Sequence, residues 1–449
     1  MKKIIIGGTH SGCGKTTVTC AVLQALCNRK LKVSSFKCGP DYIDTMFHEK
    51  IIGTSAHNLD SFFCDDNTLR YLLNQNGSKY DISVIEGVMG FYDGVNGRGS
   101  ADSVSRITDT GAIIVIDCKG MSDSVGAVMK GYLSYRENNI IGFIFNRLPE
   151  KLVPKIKQIC SELNTQYFGF MPANKITVES RHLGLVTADE IADLKNKMQY
   201  LGVLAENYIE IDKIMEYSES NIPEFTSPII KKYSFERKLV IAVAKDSAFC
   251  FLYSDNIEIL KRLGCEIRYF SPIADEKIPE ADGLILCGGY PELYAEKLSQ
   301  NKSMLCDVYE KINGGMPTIA ECGGFMYLHK EIEVSSEKSY KMAGIIDGKA
   351  FKTERLQRFG YIRMKSENDN LICKKGESVS AHEFHYFESS AVGSDFNAEK
   401  ADGRNWKCGY GNKNLYAGFP HLYFYSDIKI AESFVEKCEL FGGINEQNQ

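Results

Sequence analysis

The run Ile4-Ile5-Ile6-Gly7-Gly8-Thr9-His10-Ser11-Gly12-Cys13-Gly14-Lys15-Thr16-Thr17 constrains this chain more than any other stretch. Three successive β-branched residues predict a buried strand, and Val18 to Leu26 carries apolar residues at helical spacing. A strand, a glycine-rich turn and a helix, in that order, form the setting of a phosphate-binding loop. Glycines let backbone N–H groups converge on phosphate oxygens, and the helix N-terminus adds partial positive charge. Gly8, Thr9, Gly12, Gly14, Lys15, Thr16 and Thr17 are therefore the expected nucleotide-binding residues. Lys15 can reach the β/γ-phosphates, and Thr16 can hold Mg²⁺. The simplest form of the motif has a glycine where this chain has Thr9, with Gly8 one position further out.

A chain of 449 residues exceeds one typical core, so two or three domains are expected. Its net charge of −5 and scattered Lys and Arg give no reason to expect a nucleic-acid surface. The apolar run after Lys3 is too short for a signal peptide, and no stretch approaches a membrane span. A cytoplasmic protein without a membrane partner is the expectation. The fifteen cysteines show no metal-binding spacing, and Cys13, Cys20 and Cys27 recur at a heptad interval that predicts a packed face.

Further along, Lys32 to Phe36 reads as a strand that opens into Lys37-Cys38-Gly39-Pro40-Asp41-Tyr42-Ile43-Asp44. Lys37, Asp41, Tyr42 and Asp44 thus fall at a strand's carboxyl end, where open α/β sheets bind ligands. Ile82 to Glu86 is a second such strand. Glu86 takes the place of the second Mg²⁺-positioning carboxylate of phosphate-loop folds, and Asp93 follows nearby. Gly111 to Asp117 and Ile140 to Phe145 are near-continuous apolar runs separated by a helical pattern over Ser124 to Tyr135, which predicts a doubly wound parallel sheet. Asn146, at the end of the second run, is placed to read an adenine edge. The expected division is a nucleotide-binding synthetase domain over 1–190, a helical linker over 191–237 and a second α/β domain over 238–440.

In that second domain, Pro317 to Met326 joins a short strand, Glu321-Cys322-Gly323-Gly324, and an apolar helix. A cysteine on such a corner is exposed by the turn, as in a nucleophile elbow, so Cys322 is the expected nucleophile. His421, which enters a strand-like run after Pro420, is its expected base. His382 and His385 are three apart rather than at the spacing of a helical metalloprotease pair, and are expected to line a substrate surface or to pack.

Taken in order, Gly8 to Thr17, Lys37 to Asp44, Val84 to Gly94, Arg181 to Leu185, Phe270 to Pro272, Gly288 to Glu292, Glu321 to Gly324 and His382 to His385 resemble the cobyrinate a,c-diamide synthase family. The resemblance implies a P-loop NTPase-like domain followed by a class I glutamine amidotransferase-like domain. It implies ATP- and Mg²⁺-dependent amidation of the a and c acetates of a corrinoid, with glutamine as nitrogen donor. Asp41 then joins Thr16 and Glu86 on the metal, and Lys37 steers the substrate carboxylate. Backbone N–H groups near Gly289 and Gly323 are expected to hold the oxyanion, and a closed passage is expected to carry ammonia between domains. Cobyrinate or a related tetrapyrrole acid, glutamine and ATP are the implied partners, with a homodimer as a candidate assembly. Class I amidotransferases place Glu two residues after the catalytic His, where this chain has Tyr423; the third member of its Cys–His site is left open.

Other readings make distinct predictions. Nickel-sirohydrochlorin a,c-diamide synthases and cobyric acid synthases share this plan. A P-loop switch ATPase would carry a second lysine where this chain has His10, and would leave the Cys322 domain without a role.

Overall fold

The computed structural model describes residues 1–173, 188–231, 233 and 237–447, in two compact units, Met1–Pro228 and Ile229–Gln449. The Arg181 to Leu185 motif lies outside the described residues.

The first unit begins with β1 (Lys3–Gly8), α1 (Lys15–Asn28), β2 (Val33–Cys38), α2 (Tyr42–Phe47), β3 (Ser55–Leu59), α3 (Asp66–Gly77) and β4 (Ile82–Glu86). It continues with α4 (Ala101–Thr108), β5 (Ala112–Asp117), α5 (Ser124–Ser134), β6 (Ile140–Asn146), α6 (Val153–Glu162), β7 (Gln166–Met171), α7 (Ala188–Tyr208) and α8 (Ile211–Tyr217). The seven strands lie in the order β3-β2-β4-β1-β5-β6-β7, every pair parallel. Their unbroken Ile and Val runs follow from this, because crossover helices cover both faces of a parallel sheet. Ile4, Ile6, Val84, Ile113 and Ile144 pack with Val18, Val22 and Leu26 of α1 in one core. Met198, Leu201 and Ala205 of α7 and Ile211 and Ile214 of α8 are buried in that same core, so these helices belong to the first unit.

The second unit opens with β8 (Leu239–Ala244), β9 (Phe249–Phe251), α9 (Ser254–Arg262), β10 (Cys265–Phe270), β11 (Gly283–Leu286) and β12 (Gly288–Gly289). Then come α10 (Ala295–Gln300), α11 (Lys302–Asn313), β13 (Thr318–Glu321), α12 (Gly323–Tyr327), β14 (His329–Ser335), β15 (Lys338–Lys341), β16 (Ile346–Ser366) and β17 (Ser378–Ser389). It closes with β18 (Phe396–Glu399), β19 (Asn405–Cys408), β20 (Tyr410–Gly411), β21 (Leu415–Gly418), β22 (His421–Leu422) and α13 (Lys429–Gln447). One sheet, β10-β8-β11-β13-β21-β20, is parallel except at β20, and a second, mostly antiparallel sheet runs β15-β14-β16-β17-β22, with β18 beside β16 and β19 beside β18. This second sheet has no counterpart in the expectations from sequence, because its long strands mix charged and apolar residues without a clean period of two. Gly288 and Gly289 pair as a short strand with β9.

All fifteen cysteines are free thiols, and Cys13, just before α1, and Cys20, within it, are fully buried. Among the described residues no helix is long and apolar enough to cross a membrane.

Two buried histidines tie this unit's stability to pH. His329 donates from Nδ1 to the Phe325 carbonyl (2.8 Å) and accepts the Ser389 hydroxyl at Nε2 (2.6 Å). Burial pushes its pKa down to about 4, and burial together with the charge of His421 pushes His382 down to about 3. Both side chains take up protons below pH ~6.5 in the unfolded chain but remain neutral in the folded one until about pH 4. Stability is therefore fully present above pH ~6.5 and falls on acidification, by up to ~1.4 kcal/mol per pH unit for each histidine. Urea melts between pH 7 and 4 should show this slope, and His329→Asn should make it shallower by one proton; an unchanged slope would refute the assignment.

Candidate active sites

Within the first unit, α1 begins directly after the loop, where Gly12 (φ 84°) and Gly14 (φ 91°) take left-handed conformations open chiefly to glycine. A Cβ on Gly14 would also lie 2.0 Å from Asn146 Nδ2. That amide, at the end of β6, donates to the Cys13 carbonyl (2.9 Å) and so braces the loop. Tyr132 braces it again, donating from its hydroxyl to the Thr9 carbonyl (2.6 Å). Gly8 closes β1, and Thr17 sits half-buried in the first turn of α1.

Neighbouring parallel strands bring the charged groups together. Lys37 on β2 and Glu86 on β4 are register partners, and β4 lies beside β1. Glu86 Oε1 accepts from Thr16 Oγ1 (2.6 Å) and Lys37 Nζ (2.9 Å), with Lys15 Nζ at 3.7 Å. Lys37 Nζ also lies 2.5 Å from Asp44 Oδ2. Burial opposes the charge on Glu86, yet Lys37, His48 and Lys15 hold its carboxyl well below the usual range. Burial likewise opposes the Lys37 ammonium, but Asp44 and Glu86 raise it well above the ordinary lysine value. Lys15, buried and beside Lys37, is lowered.

These residues fit a magnesium nucleotide. Glu86 Oε2 is buried without a hydrogen-bond partner among the described residues, 3.2 Å from His48 Nε2 but not aligned with it. Among those residues no group of three or more His, Cys, Asp or Glu is placed to hold a metal alone. Mg²⁺ characteristically takes one or two protein oxygens and completes its shell with phosphate and water. Asp41 stands differently from Thr16 and Glu86: its Oδ1 caps α2, accepting the Ile43 and Asp44 N–H groups (2.9 and 3.2 Å), and burial beside Asp44 raises it to about 6. Tyr42 starts α2 and is buried, whereas Asp93 is exposed and accepts the Gly90 N–H (2.8 Å). His48 was not anticipated; it follows α2 in a π-helical turn, and nothing in its immediate sequence marks it.

In the second unit, Cys322 occupies the corner between β13 and α12 with φ 48° and ψ −101°, a conformation costly for a side-chain-bearing residue. Its N–H donates to Gly418 (2.8 Å), the last residue of β21, and His421 follows three residues later on β22. The expected nucleophile thus follows β13, and the expected base follows β21, the strand paired with it. A Cβ on Gly288 would lie 2.5 Å from His421 Cε1, and one on Gly323 would lie 2.9 Å from the Gly289 nitrogen, so β12 closes over both. Burial and nearby Glu292 push the Cys322 thiol up, so attack by this sulfur would need a base. His385 stacks on Phe419 with ring centroids 3.9 Å apart, and His382 pairs across strands with His421. Tyr423 donates to Asp255 Oδ2 (2.9 Å), and Glu321 Oε2 lies 3.7 Å from His421 Nδ1.

Fold and sites together define a two-unit glutamine amidotransferase with a nucleotide-binding first unit. Residues 4–207 match the CobQ/CobB/MinD/ParA nucleotide binding domain, and residues 240–428 the CobB/CobQ-like glutamine amidotransferase domain. The chain is 37% identical over 450 residues to the cobyrinate a,c-diamide synthase of Caldanaerobacter subterraneus, covering 98% of each protein. It is 39% identical over 453 residues to that of Fusobacterium nucleatum, covering 96% of this chain and 99% of that one. The chain belongs to the cobyrinate a,c-diamide synthase family.

Proposed function

We propose that this enzyme converts the a and c acetate side chains of cobyrinate to amides, using ATP and glutamine. The observation that carries the reading is the convergence of Lys15, Thr16 and Lys37 on Glu86 at the end of the phosphate loop. A carboxylate resists ammonia at neutral pH because its leaving group is poor. Transfer of the γ-phosphoryl group from ATP gives an acyl phosphate and ADP; ammonia then displaces phosphate and leaves the amide. Lys15 neutralises the transferring phosphoryl group, and the ammonium of Lys37, held protonated by Asp44 and Glu86, orients the acid. Thr16 and Glu86 would hold Mg²⁺, with Asp41 on the metal side, and the ion would supply charge to offset that of the phosphates.

For the nitrogen, Cys322 attacks the glutamine amide carbon while His421 takes the thiol proton and returns it to the departing ammonia. Water then cleaves the thioester to glutamate. Backbone N–H groups of Gly289 and Gly323 are suited to the oxyanion, since β12 and α12 approach closely there.

Purified protein given ATP, glutamine and one macrocycle at a time tests the reading by counting new amides in the mass spectrum. Two on cobyrinate are expected. Four on its diamide would indicate a cobyric acid synthase instead, and turnover restricted to nickel-sirohydrochlorin would indicate the third activity of this plan.

A further inference from the structure

We propose that Glu321 is the positioning residue of the Cys322–His421 pair, its carboxylate holding the imidazole by Nδ1 so that Nε2 faces the thiol. The inference rests on the reading of Cys322 as nucleophile. Glu321 is the last residue of β13 and is 6% exposed. Its two oxygens are divided between two tasks. Oε1 accepts the Leu422 N–H (3.1 Å), which anchors the backbone just after His421, and Oε2 faces His421 Nδ1 at 3.7 Å. That separation is longer than a hydrogen bond, and catalytic hydrogen bonds are commonly long before substrate binds. On its other side the ring lies close to Gly288, where a Cβ would fall 2.5 Å from Cε1, with the Phe251 ring 6.4 Å away by centroid.

Three other polar groups near the ring are engaged elsewhere or carry no negative charge. Tyr423 occupies the place two residues on where class I enzymes carry their carboxylate, and its hydroxyl is given to Asp255 Oδ2 (2.9 Å). His382, across the β17–β22 pairing, is held neutral by burial and supplies no negative charge. Glu383, on the same strand as His382, is directed to His385 (3.4 Å). Cys322 itself is the proton donor. A carboxylate on Nδ1 fixes the tautomer and stabilises the imidazolium that forms when the thiol ionises. Here it would be supplied from the residue beside the nucleophile instead of from beyond the histidine.

Glu321→Gln separates positioning from folding, because the glutamine carbonyl can still accept the Leu422 N–H while the charge facing His421 is gone. In the full chain, glutamine hydrolysis measured with ATP and cobyrinate should fall ~100-fold or more in kcat, with KM for glutamine within about threefold. Ammonia-driven diamide synthesis should stay within about twofold, and Glu321→Asp should recover at least tenfold of the loss. The pH midpoint for alkylation of Cys322 by iodoacetamide, followed by intact mass, should rise by about one unit in Glu321→Gln. Wild-type hydrolysis in Glu321→Gln overturns the proposal, as does equal loss of glutamine- and ammonia-driven synthesis, which would mark a structural residue. If Cys322→Ala retains full glutamine-driven synthesis, the reading of the site fails and this proposal with it.

Discussion

Replacing Lys15 with alanine is expected to lower diamide synthesis by ~1000-fold or more, whether glutamine or ammonium salts supply the nitrogen. In the proposed mechanism both routes pass through activation of the acid, which would require a cation at the transferring phosphate. The fold should survive the change. Glu86, the buried carboxylate that Lys15 faces at 3.7 Å, keeps Lys37 at 2.9 Å and Thr16 at 2.6 Å, so no charge is left stranded. A melting curve close to that of the unmodified protein, with ATP-dependent stabilisation lost, would separate a binding defect from a folding defect. Retention of a tenth of the activity with either nitrogen source would remove Lys15 from the chemistry.

Cys322→Ala should give a divided result. Glutamine-driven synthesis should fall ~1000-fold or more, while synthesis from added ammonia continues near the unmodified rate. The division follows from where each residue sits: Cys322 belongs to the second unit, and Lys15, Thr16, Lys37 and Glu86 all belong to the first. Alanine also removes a bulky group from a corner held at φ 48° without changing the backbone N–H bond to Gly418, so gross unfolding is not expected. Loss of both activities would show that the thiol holds the elbow together and is not a nucleophile.

The two strand–turn–helix loops were legible in the chain itself. Gly12, Gly14, Lys15 and Thr16 are neighbours in sequence, and so are Glu321, Cys322, Gly323 and Gly324. When a function needs a backbone shape formed by consecutive residues, the residue types that permit that shape must appear together. Glu86 was legible for a related reason, as the acid ending an apolar strand. His421 could be chosen among eight histidines only by its setting after a break.

Sequence by itself thus determined the two α/β units, their phosphate loop and cysteine corner, and, through motifs in order, the family. Tertiary structure alone decided which side chains meet. Sheet order placed β2 and β4 side by side and so joined Lys37 to Glu86, then set His48 against the same carboxylate. It aligned β13 with β21, which carried Glu321 to His421, and it set the Asn146 amide against the Cys13 carbonyl of the loop. The reason is physical: apolar runs of Ile and Val specify burial on both faces but are nearly interchangeable as neighbours. Partners distant along the chain are chosen by packing of the whole sheet.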